Sequence, residues 1–442
     1  MVVRLAVMEG PHRGQEFVFP EHDLFLVGRS RSAHFRLQDD YFSRLHFLVE
    51  VNPPNCRLTD LGSHNGTYVN GKRVDVADLK DGDLIQGGTT VLRLSVEAPG
   101  EMPATARYRT LSVPSEPPSQ PGLAKVRRPK PTPAANNCLA CGAPLRSHQA
   151  GALCSACRDR SDRHPQTVPG YRIVKELAQG GMGMVSLALR VKDDLPVALK
   201  SVMPAAAGSR DNIERFLREA RILQHLDHPH IVSFLEMGYA GGQLFFATEY
   251  VTGVNAAHLL EEQGPLPVPR AAALTCQLLE ALEYAHEQGF VHRDIKSQNL
   301  LVSAAPDAPD RDFAKLADFG LARVYQASPL SGLAAAGAVG GLSPFTAPEQ
   351  ITAFRECKPT VDQYSAGATL YHLVTGDYVY GFPSKATEQL MMILMEDPVP
   401  ILHRRPDLPS GLAEIIHRSL ARDPKNRFPD VWTMRAALAE FA

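Results

Sequence analysis

The alternation of hydrophobic and polar positions divides the chain into regions of different architecture. Residues 1 to about 97 contain many short β-type runs, such as LFLVG, HFLVEV and TVLRLSV, which Gly, Asn, Asp and Pro separate. Short strands with frequent turn residues are typical of an all-β sandwich. We therefore predict a sandwich for residues 1–97.

A second folded region begins near residue 169. Its first part alternates strand-like runs, namely YRIVKEL, VSLALR, PVALKSV and LFFATEYV, with an amphipathic helix around ERFLREARIL. After about residue 255 the spacing is mostly helical, as in RAAALTCQLLEALEYAHEQG. The pattern predicts one α+β unit over residues 169–442, with its strands first and its helices after them.

The two regions are separated by a stretch of different composition. Residues 98–137 contain nine prolines among Ser, Ala, Arg and Lys. Such a segment cannot bury enough apolar surface to offset the entropy lost on ordering, so we predict a flexible linker. A cysteine-rich segment, residues 138–158, follows it.

Composition narrows the class of protein without selecting a partner. The 442 residues include 46 basic and 48 acidic side chains and 44% hydrophobic residues, which gives no electrostatic bias toward nucleic acid or membrane. No apolar run of about 18 residues is present, and the first residues lack the apolar core of a signal peptide. We therefore expect a cytoplasmic protein.

Three polar clusters in the α+β unit carry the chemistry. They are HRDIKSQN at residues 292–299, DFG at 318–320 and APE at 347–349. In this order they resemble the catalytic loop, the metal-binding triplet and the end of the activation segment of eukaryotic-type protein kinases. The chain is thus similar to bacterial serine/threonine kinases, which implies a bilobal α+β fold using ATP and Mg²⁺.

The resemblance implies a role for each polar residue of the clusters. Asp294 would accept or orient the proton of the substrate hydroxyl, and Lys296 would contact the transferred phosphate. Asn299 and Asp318 would hold Mg²⁺. A lysine at 296 is the serine/threonine-kinase pattern, so we expect serine and threonine as acceptors.

The strand-rich half supplies the expected nucleotide contacts. VALK at 197–200 matches the strand whose lysine, Lys200, grips the α and β phosphates, and Glu219 would be its ion-pair partner. In the Gly-rich loop at residues 179–185, backbone N–H groups that no side chain covers would approach the phosphates. The resemblance implies a nucleotide-binding set of Gly180, Gly181, Gly183, Val185, Ala198, Lys200, Thr248, Glu249, Val251 and Leu301.

The resemblance also implies structural supports, and two positions depart from the family pattern. Glu349 would pair with Arg427, and Asp362 would brace the catalytic loop. Family members place Gly where Ala178 stands and Thr where Leu342 stands. The missing hydroxyl at 342 predicts slow but real catalysis. It also keeps open a pseudokinase scaffold that binds nucleotide without turnover, whereas the APE segment disfavours a small-molecule kinase.

Four of the seven cysteines form two CxxC pairs. Cys138 and Cys141 precede Cys154 and Cys157, and twelve residues separate the pairs. Four thiolates in two such knuckles suit a closed tetrahedral Zn²⁺ site, which has no open position and is therefore structural. The segment resembles a small zinc ribbon. Redox-active or incidental pairs are the alternative.

The N-terminal region carries three spaced motifs, VGRS at 27–30, SRLH at 43–46 and DLGSHNGTYVNG at 60–71. Together they resemble the forkhead-associated (FHA) domain, a β-sandwich that binds phosphothreonine peptides. The resemblance implies a phosphopeptide site of Arg29, Ser43, Arg44 and Asn65. His46 and Asn70 would order loops. A phosphate-blind adaptor is the alternative.

The whole chain is therefore predicted to be a multidomain kinase whose FHA sandwich recruits phosphothreonine-bearing partners. Its own linker threonines Thr105, Thr110 and Thr132, once phosphorylated, are candidate ligands in cis or in trans. The expected cofactors and substrates are ATP, Mg²⁺, Zn²⁺ and proteins.

Overall fold

The structure is a computed structural model. It describes residues 1–20, 22–97, 137–145, 152–162, 168–180, 183–202, 226–240, 243–305, 308, 311–318, 343–352 and 357–442. Within this part of the chain, no helix is both long enough and apolar enough to cross a membrane.

The N-terminal region is a sandwich of two sheets, as predicted. One sheet has the order β2-β1-β11-β10-β7-β8 and the other β4-β3-β5-β6-β9. The strands are β1 (Val2–Glu9), β2 (Glu16–Phe19), β3 (Asp23–Gly28), β4 (Phe35–Arg36), β5 (Phe47–Asn52), β6 (Asn55–Asp60), β7 (Thr67–Val69), β8 (Lys72–Val74), β9 (Val76–Leu79), β10 (Leu84–Gly87) and β11 (Thr90–Glu97).

Side-chain alternation on β3 explains how this sandwich packs. Phe25 and Val27 point into the sandwich, where they join Phe47 and Leu58 in a buried core. Leu26 lies on the opposite face and is also fully buried. A strand buried on both faces reads as an unbroken apolar run, which is the pattern of LFLVG.

The cysteine-rich segment is short and has two turns. A β-bridge joins Asn137 to Pro144, and the helix α1 (Ser155–Asp162) begins directly after Cys154. This helix continues four residues past the predicted end of the ribbon at residue 158. The segment packs on the first strand of the α+β unit, Tyr171–Gly180.

The α+β unit, here named the catalytic unit after the predicted catalytic loop that it carries, begins with a five-stranded antiparallel sheet. The strand order of this sheet is β12-β13-β14-β16-β15. Its strands are β12 (Tyr171–Gly180), β13 (Gly183–Arg190), β14 (Leu195–Val202), β15 (Phe234–Ala240) and β16 (Gln243–Glu249). The register places Lys200 of β14 opposite Val185 of β13 and Phe246 of β16. Lys200 is thereby held between two strands of the sheet.

The rest of the unit is mainly helical. A small sheet of β17 (Val254–Asn255), β18 (Leu300–Ala304) and β19 (Asp312–Leu316) lies among the helices. The helices are α2 (Ala256–Gln263), α3 (Val268–Glu287), α4 (Pro348–Thr352), α5 (Thr360–Thr375), α6 (Ala386–Met395), α7 (Ile401–Arg404), α8 (Ser410–Ser419) and α9 (Val431–Leu438). The predicted multidomain fold, an FHA-type sandwich with an α+β bilobal unit, is confirmed.

The helix α5 forms the centre of this second lobe. Residues Val361 to Val374 are all buried, including the polar side chains of Asp362 and Gln363. A helix that is buried on every side is an internal element rather than a surface one. Because α5 is fixed on all sides, Asp362 is a rigid support for the loop beside it.

Candidate active site

The predicted catalytic loop forms one hydrogen-bonded unit. Lys296 Nζ lies 3.0 Å from Asp294 Oδ1 and 2.8 Å from its Oδ2. Asn299 Nδ2 donates to the Asp294 backbone oxygen at 2.8 Å and to its Oδ2 at 3.1 Å. The Asp294 side chain is about one quarter exposed, so a carboxylate held on two sides still reaches the cleft.

Asp362 supports this loop from below, as the resemblance predicted. Its two carboxylate oxygens accept the backbone N–H groups of His292 and Arg293, each at 2.7 Å. His286 Nε2 lies 2.8 Å from the same carboxylate. Arg293 has φ +66°, a conformation that costs a non-glycine residue about 1–2 kcal/mol. The two hydrogen bonds from Asp362 help to hold that conformation.

Lys200 and Asp318 meet across the cleft. Lys200 Nζ lies 2.9 Å from Asp318 Oδ2, and the two residues are 118 positions apart in the sequence. Asp318 also has a left-handed backbone, with φ +63°. The structure therefore brings together the strand lysine and the aspartate of the DFG triplet. Glu219, the predicted partner of Lys200, lies outside the described residues.

The predicted adenine contacts line a partly open surface. Val185, Ala198, Thr248 and Leu301 are half-buried, although neighbouring strand positions are fully buried. Thr248 lies opposite Ala198 in the β14–β16 register. Half-buried apolar side chains in an otherwise closed sheet indicate a cleft that a flat apolar ligand can fill.

The remaining nucleotide residues lie at the two ends of this cleft. At the hinge, the Glu249 N–H donates to Ser233 O at 2.9 Å, and the residue is half-buried. Val251 follows two residues later and is half-buried. Gly180 and Gly183 pair at the ends of β12 and β13. Gly181 lies outside the described residues.

The second predicted support, Glu349, is also confirmed. Arg427 holds it with two hydrogen bonds, one of them 2.8 Å from Arg427 Nη2 to Glu349 Oε2. Sequence reasoning missed the neighbouring Gln350, whose Nε2 donates to Arg293 O at 2.7 Å. Its only signal was its position in APEQ. The helix α4 is thus attached directly to the catalytic loop.

Of the two residues that depart from the family pattern, the structure describes only Ala178. Ala178 lies opposite Val185 in β12, next to an irregularity in the strand register, and its side chain is exposed. Leu342 lies outside the described residues. Ser343, the nearest hydroxyl, accepts a hydrogen bond from Phe345 N at 3.4 Å.

The four cysteines of the CxxC pairs converge. Their sulfur atoms all lie within 4.8 Å of one another, and Cys141 Sγ is 3.8 Å from Cys154 Sγ. In a tetrahedron with metal–sulfur bonds of about 2.3 Å, the sulfurs are about 3.8 Å apart. Gly142, with φ +73°, closes the first turn by donating to Cys138 O at 2.8 Å. The donor set and spacing fit a zinc ion.

The predicted phosphopeptide residues lie on one loop edge of the sandwich. Arg29 and Arg44 are exposed, and the Arg29 N–H donates to Ser43 O at 3.1 Å. Ser43 Oγ accepts from His64 N at 2.9 Å, and Asn65 Nδ2 donates to Tyr41 O at 2.7 Å. The structure therefore brings two cations, a hydroxyl and an amide to one surface.

Hydrogen bonds from neighbouring residues hold these loops in place. His46 Nδ1 accepts from Ser43 N at 3.1 Å, and its Nε2 lies 3.2 Å from Gly66 O. Asn70 ties the next turn to Asp83. Both are supports, as predicted. Sequence reasoning missed Asp60, which accepts from Ser63 and Thr67. A methyl group at Gly28 would collide with the Arg44 carbonyl.

Known proteins resemble both folded regions. A family model described as "Protein kinase domain" matches residues 171–439, and one described as "FHA domain" matches residues 25–88. Serine/threonine-protein kinase PknF of Mycobacterium tuberculosis is 36% identical over 264 residues, which are 59% of this chain and 54% of PknF. Serine/threonine-protein kinase pkn3 of Myxococcus xanthus is 33% identical over 278 residues, which are 61% of this chain and 49% of pkn3.

One solved structure aligns along almost the whole chain. The crystal structure of Rad53 1-466 in complex with AMP-PNP has a TM-score of 0.51 and 18% identity, and the alignment covers 99% of this chain and 100% of that one. This likeness supports the fold. The chain spans about half the length of the two bacterial relatives.

Proposed function

Since the chain belongs to the protein kinase family, we propose that it transfers the γ-phosphoryl group of ATP to serine or threonine hydroxyls of proteins. Two observations support the proposal. Lys296 and Asn299 are both hydrogen-bonded to Asp294, and Lys200 pairs with Asp318 across the cleft. Phosphoryl transfer needs positioning and charge neutralisation rather than covalent help, and these side chains supply both.

Asp294 is the proposed base. Its carboxylate would accept a hydrogen bond from the substrate hydroxyl and take its proton as the new bond to phosphorus forms. Lys296, already 2.8 Å from Asp294 Oδ2, would contact the transferred phosphate oxygens. Lys200 would bind the α and β phosphates and hold the chain of phosphates in line.

Asn299 and Asp318 would hold Mg²⁺. Because Asn299 Nδ2 donates to Asp294, its amide oxygen is left as an acceptor, and Asp318 supplies a carboxylate. Oxygen donors are the ligands that Mg²⁺ prefers. When bound with ATP, the ion would neutralise negative charge on the phosphate oxygens.

Transfer of radiolabelled phosphate from ATP to a generic protein substrate tests the enzyme proposal. Wild type should label serine and threonine, and Asp294→Asn should lose about 10²–10⁴-fold in rate. Equal labelling by both would refute the role of Asp294. Absence of labelling by wild type, with nucleotide still bound, would favour the pseudokinase scaffold.

A companion variant examines the departure at position 342. If the missing threonine limits turnover, Leu342→Thr should raise the rate, because a hydroxyl there braces Asp294 and Lys296 in the family. An unchanged rate would mean that the brace was not limiting.

The cysteine cluster is proposed to hold one structural Zn²⁺. The 3.8 Å sulfur separation and the closed set of four thiols support this assignment over redox-active pairs. Metal analysis of the purified chain should find one zinc per molecule, and Cys141→Ser should lower that occupancy. A metal-free wild type with intact thiols would refute it. None of the seven cysteines, all of which are among the described residues, is in a disulfide, which suits the reducing cytoplasm where we place the protein.

The sandwich is proposed to bind phosphothreonine peptides. Arg29 and Arg44 offer charge-assisted hydrogen bonds to a phosphate dianion, and Ser43 and Asn65 would add a donor and a backbone clamp. Arg29→Ala should abolish binding of a phosphothreonine peptide measured by fluorescence polarisation. The matched control is Arg93→Ala, an exposed arginine on β11. Unchanged affinity in Arg29→Ala would reject this pocket and favour the phosphate-blind adaptor.

Partners follow from these two activities. Phosphothreonine-bearing proteins would be recruited by the sandwich, and Thr105, Thr110 and Thr132 of the chain itself remain predicted ligands. These three threonines lie outside the described residues. Mass spectrometry before and after incubation with ATP and Mg²⁺ identifies which of them the kinase phosphorylates.

A further inference from the structure

The outer face of one sandwich sheet is buried against the catalytic unit. Leu26 and Leu48 on this face, and Leu45 and Leu61 in the loops beside it, are at most 4% exposed, although none belongs to the core between the two sheets. They belong instead to the continuous apolar cluster of the helical lobe, together with Ile351 of α4. An apolar face of four leucines is a docking surface, and α4 and its surroundings cover it.

A histidine fixes the edge of this contact. His34 Nδ1 accepts a hydrogen bond from Leu26 N at 2.8 Å, so the ring proton lies on Nε2. His34 Nε2 then donates to Thr352 O at 2.6 Å, across 318 positions of sequence. Thr352 is the last described residue of α4. His34 therefore holds α4 by a hydrogen bond from another domain.

The loop that carries His34 also carries Arg29. Between them, Ala33 N donates to Ser30 O at 3.1 Å and Ser30 N donates to Arg44 O at 2.7 Å. Arg36 Nε donates back to Arg29 O at 3.2 Å. This turn places the proposed phosphate ligand and the residue that contacts α4 five positions apart.

On the catalytic side, α4 is bonded to the catalytic loop. Gln350 Oε1 accepts from Ala347 N at 3.0 Å while its Nε2 donates to Arg293 O, and Arg293 directly precedes Asp294. The helix α4 therefore joins the His34 contact to the residue that precedes Asp294.

We propose that the sandwich docks on α4 and that this docking responds to ligand. Phosphothreonine binding at Arg29 stabilises the docked state and thereby raises the rate of phosphoryl transfer. Docking fixes the turn at residues 30–34 and preorganises the Arg29 backbone. By linkage, the peptide must strengthen docking by the factor by which docking strengthens peptide binding. The inference rests on the proposed phosphopeptide site.

The test uses the full chain and three peptides phosphorylated at positions equivalent to Thr105, Thr110 and Thr132, with unphosphorylated peptides as controls. The variants are His34→Ala and Leu48→Ala, and His403→Ala is the matched control on the surface of α7. We expect peptide affinity to fall at least fivefold in both docking variants, and peptide to raise the wild-type phosphorylation rate but not theirs.

Hydrogen–deuterium exchange supplies a readout that does not depend on catalysis. Phosphopeptide should slow amide exchange over residues 343–352 in wild type and in His403→Ala, and have no effect there in His34→Ala. If peptide affinity is equal in wild type and both docking variants, and the peptide does not change amide exchange at 343–352, the proposed coupling between peptide binding and docking is refuted. If no peptide binds wild type at all, the failure belongs to the proposed phosphopeptide site instead.

Discussion

The two accessory modules attach to different lobes and depend on the catalytic unit to different degrees. The sandwich has its own core, including Phe25, Phe47 and Leu58, and its outer face meets the helical lobe. The described residues of the cysteine segment form no separate core. Cys138, Leu153 and Cys157 share one apolar cluster with strand residues of the catalytic sheet.

This difference follows from size. A segment of about 25 residues buries too little apolar surface to fold alone. It needs a cross-link, here through the four sulfurs, and a neighbouring surface against which it packs. That surface is provided by Val174, Leu187 and Leu189 of β12 and β13. The sandwich is therefore an attached domain, whereas the cysteine segment is an extension of the catalytic sheet.

Removal of the zinc ligands should give the largest effect. Structural zinc contributes on the order of 10 kcal/mol to small zinc domains, so Cys138→Ser with Cys157→Ser should unfold the segment and expose the apolar face of β12 and β13. Hydrogen exchange should show loss of protection in α1 and faster exchange in β13, while the sandwich is unchanged. Cys276→Ser, a half-buried thiol of α3, is the control. Full protection in the double variant would show that the segment folds without metal.

A cavity in the sandwich core should give the next largest effect and stay local. Leu58 is fully buried, so Leu58→Ala should lower the free energy of unfolding of the sandwich by about 2–5 kcal/mol. Urea unfolding followed by fluorescence of a label on the sandwich measures the change. Leu84→Ala, 42% exposed in the same sandwich, should cost less than about 0.5 kcal/mol. Equal loss of stability in the cysteine segment would contradict the separation of the two cores.

The pH dependence of the sandwich should be smaller. Burial lowers the pKa of His46 below 6.5, although Gly66 O and the carboxylates of Asp60 and Asp39 partly oppose the shift. The folded state therefore favours the neutral ring. Its contribution to stability is present above pH 6.5 and is lost as the pH falls below it, because the unfolded chain binds a proton more readily.

Thermal unfolding between pH 8 and pH 5 measures this effect. Wild type should lose sandwich stability by at most about 1.4 kcal/mol per pH unit through this group, and His46→Gln should show a flatter dependence. Parallel curves would assign the pH dependence to other groups.

An exposed ion pair at the junction of the cysteine segment should matter least. Arg158 Nη1 lies 3.4 Å from Asp194 Oδ2, with both side chains more than one third exposed. Such pairs contribute about 0–1 kcal/mol, so Arg158→Ala should leave zinc retention unchanged. Release of zinc into a colorimetric chelator measures retention. Rapid loss of zinc would mean that the junction depends on charge rather than on the apolar contact.

Much of the site could be predicted because its chemistry is local in sequence. Asp294, Lys296 and Asn299 lie within six residues, and a loop of that length has few ways to bring them together. The long-range supports, Asp362 and Arg427, followed from the family resemblance rather than from spacing. The roles of all these residues remain predictions.

The contact between the sandwich and α4 could not be predicted. LFLVG predicted a strand, but nothing in the run identified the element that covers Leu26. No local pattern singles out His34, since its contact depends on a carbonyl 318 positions away. Contacts between separately folding regions are set by surface shape, which a local pattern does not encode.

The Lys200–Asp318 ion pair has a consequence for the order of loading. Because the ammonium and the carboxylate are in contact, a divalent ion that approached Asp318 alone would have to compete with the Lys200 cation. Nucleotide phosphates would offer Lys200 another anion and would release Asp318 at the same moment. If the proposed roles of the two residues hold, metal and nucleotide are expected to bind together rather than in turn.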